Sequence, residues 1–281
     1  MRRLACLLLL AVTLAGCGGD DAGAPDELEV VAGFYPLAWV AEQVGGPSVT
    51  VTNLTSPGVE PHDLELSPKQ AGLLEDADLA VYVKGFQPAV DAAVPAGAGF
   101  DVATVQPLQG GDPHLWLDPT RLAEVAVALA DRLAAVDAGG AQAYRSRAAS
   151  LADELRRLDY EFATGLATCK RRELVVSHDA FGYLAARYKL EQVGIAGLDP
   201  DADPSPARIA EVSRYAREKG VTTVFFETLV SPRVAETVAR EAGGRTAVLD
   251  PVEGVPDGSG DDYYRVMRRH LEALRAALAC G

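Results

Sequence analysis

"ELVVSHDAFGYLAARYK", residues 173–189, reads as one β-strand running directly into one α-helix. Glu173 to Ser177 is a short β-branched run, as a strand covered on both faces must be. Ala180 to Lys189 follows as a helix, and His178 stands at the junction. The same alternation recurs on both sides. Upstream, strands at Leu28–Gly33, Ser48–Leu54, Asp78–Val83 and Asp101–Val105 alternate with helices at Pro36–Val44, Pro68–Asp76, Gln87–Ala93 and Pro119–Val136. Downstream, strands at Gln192–Ile195, Thr222–Phe226 and Thr246–Leu249 alternate with helices at Arg208–Lys219, Ser231–Ala242 and Tyr263–Ala279. This pattern predicts an α/β protein with parallel sheets flanked by helices. Between the two halves, Ala141 to Ala167 has no strand signal and carries Leu151, Leu155, Leu158 and Phe162 at helical spacing. Such a segment would form about 40 Å of helix. The expected organisation is two lobes, residues 27–138 and 168–281, joined by one stiff helix within 139–167, because a chain this long exceeds what one core usually holds.

The amino terminus lies outside this pattern. Arg2 and Arg3 precede an apolar run from Leu4 to Leu14, and Leu14-Ala15-Gly16-Cys17 follows. The run is too short for a stable membrane span and reads as a secretory signal. Its end resembles a bacterial lipobox, which implies that residues 1–17 direct export and that Cys17 carries lipid. Residues 18–26, GGDDAGAPD, have no apolar periodicity and read as a flexible tether. The expectation is an exported chain anchored by lipid on the outer face of the cytoplasmic membrane, or periplasmic. One acyl chain binds weakly, so multiple acylation is the anchor that physics favours. The chain carries 40 acidic and 26 basic residues, a formal charge of −14. That balance excludes an electrostatic footprint for nucleic acid. Of four cysteines, Cys6 belongs to the signal and Cys17 to the lipobox. Cys169 and Cys280 remain, and in an oxidising compartment they are expected to form a disulfide.

Histidine is scarce, with four in 281 residues. Three sit in short acidic turns: Pro61-His62-Asp63, Asp112-Pro113-His114 and Ser177-His178-Asp179. Open parallel sheets bind ligands beyond the carboxyl ends of their strands. His62, His114 and His178 each follow a predicted strand there, and Glu227 and Asp250 end two further strands. Three imidazoles and the Asp250 carboxylate would form a four-coordinate site suited to zinc. Asp63 and Asp179 are candidates to fix the ring tautomers or to cap helices. Glu60 and Glu227 are candidates to hold a water or a histidine near the ion, or to cap a helix. His270, among arginines in the last helix, reads as a surface residue.

At these residues the chain resembles a known family. "GVEPHDLELSPKQAGLLEDADLAVYVKGF", "DPHLWLDP" and "VSHDAFGYLAARYKL" resemble, in order, the three histidine motifs of the cluster A-I solute-binding proteins of metal ABC importers. "VFFETLVSPRVAETVARE" and "TAVLDPVEG" are similar to the family's closing segments. The resemblance implies two lobes bridged by a rigid helix, with His62, His114, His178 and Asp250 as ligands. A histidine at the third position goes with zinc in that family and a glutamate with manganese, so His178 implies Zn2+ over Mn2+. One departure is the segment Val105–Asp112, which lacks the long histidine- and acid-rich loop of many zinc members. The acidic stretch Glu253–Asp262 is either its substitute or a solvated turn. The implied function is capture of zinc outside the cell by a monomer that passes it to an ABC transporter permease with its ATPase. The alternative within the class is manganese or another divalent ion. A different class, a secreted zinc hydrolase, would need an open coordination position and a general base. The chain has no HExxH or GxSxG motif, and four protein ligands would close the site, so no enzymatic activity is expected.

Overall fold

The computed structural model describes residues 27–256 and 258–281. The signal, Cys17 and the tether lie outside the described residues. Two four-stranded sheets, all parallel, form the frame. The first contains β1 (Leu28–Ala32), β2 (Val49–Asn53), β3 (Leu79–Tyr82) and β4 (Gly99–Asp101) in the order β2-β1-β3-β4. The second contains β5 (Glu173–Val176), β6 (Glu191–Gly194), β7 (Thr223–Phe226) and β8 (Arg245–Val248) in the order β6-β5-β7-β8. Central strands read LEVVA, LAVY, ELVV and TVFF, while the edge strands VTVTN, EQVG and RTAV are more polar. This is the division expected when only the central strands are covered on both faces.

Helices α1 (Tyr35–Gly45), α2 (Pro68–Asp76), α3 (Pro88–Ala93) and α4 (Pro119–Val136) belong to the first half. The long helix is α5 (Ala141–Gly165), followed by α6 (Gly182–Tyr188), α7 (Pro206–Lys219), α8 (Arg233–Ala242) and α9 (Tyr263–Leu278). Leu151, Leu155, Leu158 and Phe162 of α5 are all buried, as their spacing predicts. The helix does not stand free as a rod. It packs along α4 and against α1, and it also touches α9. Its buried side chains belong to one hydrophobic cluster that runs from Val30 and Leu79 of the first sheet to Leu174 and Phe225 of the second. Two buried hydrogen bonds add to this join: Trp116 Nε1 donates to the Pro251 carbonyl at 2.7 Å, and the Tyr263 hydroxyl donates to the Trp116 carbonyl at 2.6 Å.

Two expectations fail here. The segment Asp101–Val105 is not a strand. The strand is Gly99–Asp101, and the Asp101 carboxylate accepts a hydrogen bond from the Ala103 N–H, turning the chain into a short 3-10 helix. His270 is not on the surface. It is 4% exposed and lies on the buried stripe of α9 with Tyr263, Val266, Met267 and Leu274. That stripe has the 3.6-residue period of an amphipathic helix, and the neighbouring arginines obscured it.

Burial, with help from the Arg269 charge, lowers the His270 imidazole to about 3. The fold therefore keeps it neutral, whereas the unfolded chain takes up a proton below about pH 6.5. Its contribution is complete above that pH and is lost as pH falls from about 6.5 towards 3, at about 1.4 kcal/mol per pH unit. The melting temperature of the metal-stripped chain should consequently fall more steeply between pH 7 and pH 5 than that of His270→Leu. Parallel slopes would refute this assignment.

Candidate metal centre

The loops beyond the carboxyl edges of both sheets meet between the two halves and bring four side chains together. His62, His114, His178 and Glu253 each offer one ligating atom, and these atoms lie within 4.8 Å of one another. The His114 and His178 Nε2 atoms are 3.5 Å apart. Glu253 Oε1 lies 3.1 Å from His114 Nε2 and 3.4 Å from His62 Nε2. A zinc tetrahedron with bonds near 2.0–2.1 Å has edges of about 3.3 Å. Three of the six edges, at 3.1, 3.4 and 3.5 Å, match that length. The close approaches to Glu253 lack hydrogen-bond geometry, and His62 Nε2 and both Glu253 oxygens are buried without a hydrogen-bond partner. Lone pairs that converge on a point instead of on one another fit a cation at that point.

Each histidine is oriented from behind. His114 Nδ1 donates to Asp112 Oδ1 at 2.8 Å, and the same oxygen accepts from the His114 backbone N–H. His178 Nδ1 donates to Glu227 Oε1 at 2.7 Å, and Ser177 Oγ donates to that oxygen too. Both pairs leave Nε2 for the metal and make the ring a stronger ligand. His62 is placed through its loop. Its N–H donates to Glu60 Oε1, and the Pro61 carbonyl accepts from Gln87 Nε2, which also reaches the Gly33 carbonyl and Thr55. Gly33 permits this contact, since a methyl group there would collide with Gln87. Gln70 in the first turn of α2 ties down the other end by donating to the Leu54 carbonyl. Phe34, Phe86 and Trp116 pack edge-on or tilted beneath the rings and keep the base of the site apolar. His114, His178 and Glu253 are at most 1% exposed, whereas the His62 side chain is 14% exposed, so an ion would enter along His62.

Charge within the cluster is strongly perturbed. Burial alone would push the His114 imidazole down, but the Asp112 and Glu253 carboxylates beside its two ring nitrogens raise it to about 9. Burial would raise the Glu253 carboxyl, yet His114 and His62 outweigh it and hold it at about 2. A proton on His114 thus sits against Glu253 where a metal charge would otherwise lie, and ligation requires its release. Glu60 is pushed up to about 8, first by burial and then by the Glu253 charge.

Several sequence-based assignments change. The carboxylate beside the histidines is Glu253, not Asp250. Asp250 Oδ2 accepts from Thr228 Oγ1 at 2.5 Å, and its Oδ1 accepts from the Val252 N–H at 3.1 Å. Those bonds support a sharp turn in which Val252, fully buried, has φ of 62°. A β-branched residue there is strained. The turn directs Glu253 inward, so the acidic stretch 253–262 begins as part of the cluster and not as a solvated turn. Asp63 is exposed and meets Asp201 instead of the His62 ring. Asp179 accepts from Gln192 Nε2 and neither touches the His178 ring nor caps α6. The sequence reading had no role for Asp112 or Gln87. The Asp-x-His spacing of Asp112 was a usable signal, whereas nothing local marked Gln87, 25 residues from the histidine it helps to place.

Because Glu227 and Asp112 act through the histidines, Glu227→Gln and Asp112→Asn should each weaken zinc binding by about 10–100-fold. Competition against a chelator of known affinity measures this. Unchanged affinity in both variants would show that the rings are held by packing alone.

Residues 30–277 match the family described as zinc-uptake complex component A, periplasmic. The chain is 34% identical over 292 residues to the zinc-binding protein AdcA of Streptococcus pyogenes serotype M6, covering 90% of this chain and 56% of that protein. It is 31% identical over 307 residues to the high-affinity zinc uptake system protein ZnuA of Bacillus subtilis, covering 98% of this chain and 95% of that one. The chain therefore spans about half the length of the AdcA relatives that it matches. The solved Zn(II)-bound ZnuA-like domain of Streptococcus pneumoniae AdcA superposes with a TM-score of 0.78 at 33% identity, covering 90% of this chain and 99% of that domain. The laminin-binding protein of Streptococcus agalactiae, described as bifunctional with adhesin and metal-transporting activity, gives a TM-score of 0.82 at 30% identity over 89% of this chain and 99% of that one. By the extent of the family match and its agreement with the two-sheet fold, the chain belongs to the zinc-uptake complex component A family.

Proposed function

We propose that this protein captures Zn2+ outside the cell between its two halves and delivers it to the permease of an ABC importer. The observation that carries this reading is the convergence of His62, His114, His178 and Glu253 within 4.8 Å of one another, with three of the distances close to the edge of a zinc tetrahedron. Three imidazoles and one carboxylate suit zinc, while manganese prefers more oxygen and a higher coordination number. Four protein ligands leave no open position for a reactive water, which favours a carrier over a hydrolase. Zinc-binding names among the relatives and a Zn(II)-bound neighbouring structure support the same cargo. A lipid anchor at Cys17 and a monomeric state complete the proposal, with lobes 27–138 and 168–281 around the site. No described helix is long and apolar enough to cross a membrane.

Zinc outranks manganese at most nitrogen-oxygen sites in a test tube. The deciding experiment is therefore elemental analysis of the exported protein, joined to titration of the stripped form. About one zinc per chain is expected at a four-coordinate closed site. Manganese in the exported protein, or a stripped chain that takes up no stoichiometric metal, would sink the proposal.

A further inference from the structure

The buried stripe of α9 also walls a cavity of about 530 Å3. Val266, His270 and Ala273 form one side, and Val248 at the end of β8, with Asp250 and Gly254 in the turn beyond it, forms the other. None of the four cluster residues lines it, so it is distinct from the metal centre. Its size falls within the range of small-molecule sites, about 300–1,000 Å3.

The charged groups around it are mostly committed elsewhere. Arg269 donates through both Nη atoms to Asp261, at 2.5 and 2.9 Å. The Asp250 carboxylate is occupied by Thr228 and by the Val252 N–H. Glu272 is exposed and leaves a negative rim. What faces the interior is aliphatic, from Leu229, Val248, Pro256, Val266 and Ala273, together with His270. His270 is 4% exposed, and its Nδ1 has no hydrogen-bond partner among the described residues. A buried polar nitrogen left unpaired is costly, and a ligand that pairs with it once the ring turns it towards the cavity recovers that cost. Burial keeps the ring neutral, so it offers a hydrogen bond and not a charge. An anion would meet Glu272 and an Arg269 already paired with Asp261, and a cation held inside the Glu272 rim would have to displace an existing contact of Asp250 or Asp261.

We propose that this cavity is a second ligand site, which takes an uncharged, largely apolar small molecule through a hydrogen bond to His270. The wall formed by Asp250 and Gly254 belongs to the turn that directs Glu253 into the metal cluster. A molecule that braces this turn favours one placement of Glu253, so its binding is linked to that of zinc, and the linkage is reciprocal. The linkage rests on the zinc reading above; the cavity site does not.

N-phenyl-1-naphthylamine is a suitable probe: uncharged, mostly apolar and carrying one N–H. Fluorescence titration of the disulfide-intact chain should show saturable binding with a stoichiometry of about one. Ala273→Phe, which places a ring in the cavity, should weaken binding at least ~tenfold, and His270→Leu by about 2–10-fold for one lost hydrogen bond. Val248→Trp, at an exposed wall position, serves as a second filling variant if Ala273→Phe does not fold. Absence of saturation, or a folded filling variant that binds as well as the parent, would overturn the site. Zinc-loaded and stripped chains should differ in probe affinity by at least ~threefold, a modest coupling. Equal affinities in chains shown by elemental analysis to carry and to lack zinc would overturn the linkage. The fluorescence readout on the stripped chain is independent of zinc, so a failed zinc assignment and a failed cavity site give different results.

Discussion

Glu253→Ala is expected to weaken zinc binding by more than ~100-fold, beyond the range typical of a residue that merely supports a ligand. Glu253 is the only anion among the four side chains and is 1% exposed. Without it, a doubly charged ion would sit in a buried pocket among three neutral rings, which is costly unless water enters. Asp250→Ala should cost less, about tenfold, because Asp250 acts on the turn and not on the ion. Its bonds to Thr228 and to the Val252 N–H hold Val252 at a φ of 62°. Strain of about 1–3 kcal/mol attends such a conformation and persists only where surrounding contacts enforce it. Once the contacts go, the turn relaxes and Glu253 loses its direction. The two substitutions should therefore be non-additive: with Glu253 already removed, losing Asp250 should change affinity little further. Chelator competition on the two single variants and the double variant measures the cycle. An Asp250→Ala loss as large as that of Glu253→Ala, with full additivity, would return Asp250 to the role of ligand.

The sequence made the histidines legible and the carboxylate illegible, for one physical reason. His62 and His178 follow strands closely, so the rule that ligands gather beyond carboxyl strand ends places them at once. His114 follows β4 by 13 residues, yet its Asp-Pro-His setting marked it as one of the three. Asp250 satisfies the strand-end rule better than Glu253 does, because it lies nearer the end of β8. What decides between them is a left-handed turn at a valine, a conformation no propensity predicts for a β-branched side chain. The alternation of strands and helices was readable apart from the bounds of β4, because each central strand holds at least three consecutive apolar residues. The packing of α5 along α4 was not, since an amphipathic stripe shows that a helix is buried but not against what. His270 shows the converse error. Its spacing from Tyr263, Met267 and Leu274 is the ordinary mark of a core position, but its arginine neighbours suggested solvent.

Removing the Cys169–Cys280 disulfide should lower stability by about 4–5 kcal/mol, because the bridge joins residues with a sequence separation of 111. For a chain of this size the loss corresponds to a fall of roughly 10–20 °C in melting temperature. Cys169 follows α5 and Cys280 follows α9, so the bridge fastens the end of the last helix to the segment leading into β5. That seam is held by other bonds as well. The Lys170 and Arg171 N–H groups donate to the carbonyls of Ala279 and Leu278, and the Thr168 hydroxyl donates to the Gly281 carbonyl. Because these bonds place the two residues side by side without help, the bridge adds little to the native state. Its effect lies mainly in restricting the unfolded chain, which would otherwise gain the freedom of the whole second half. The native structure of the serine double variant should then match the parent, including its zinc affinity, while its thermal stability does not. Both proteins must be stripped of metal for the melt, since bound zinc raises the apparent stability of whichever form it loads. A melting temperature within ~3 °C of the parent, less than ~1.5 kcal/mol at this chain length, would mean that the unfolded chain is already confined without the bridge. A changed zinc affinity would place the bridge's effect in the native fold instead, through α9 and the turn that carries Glu253.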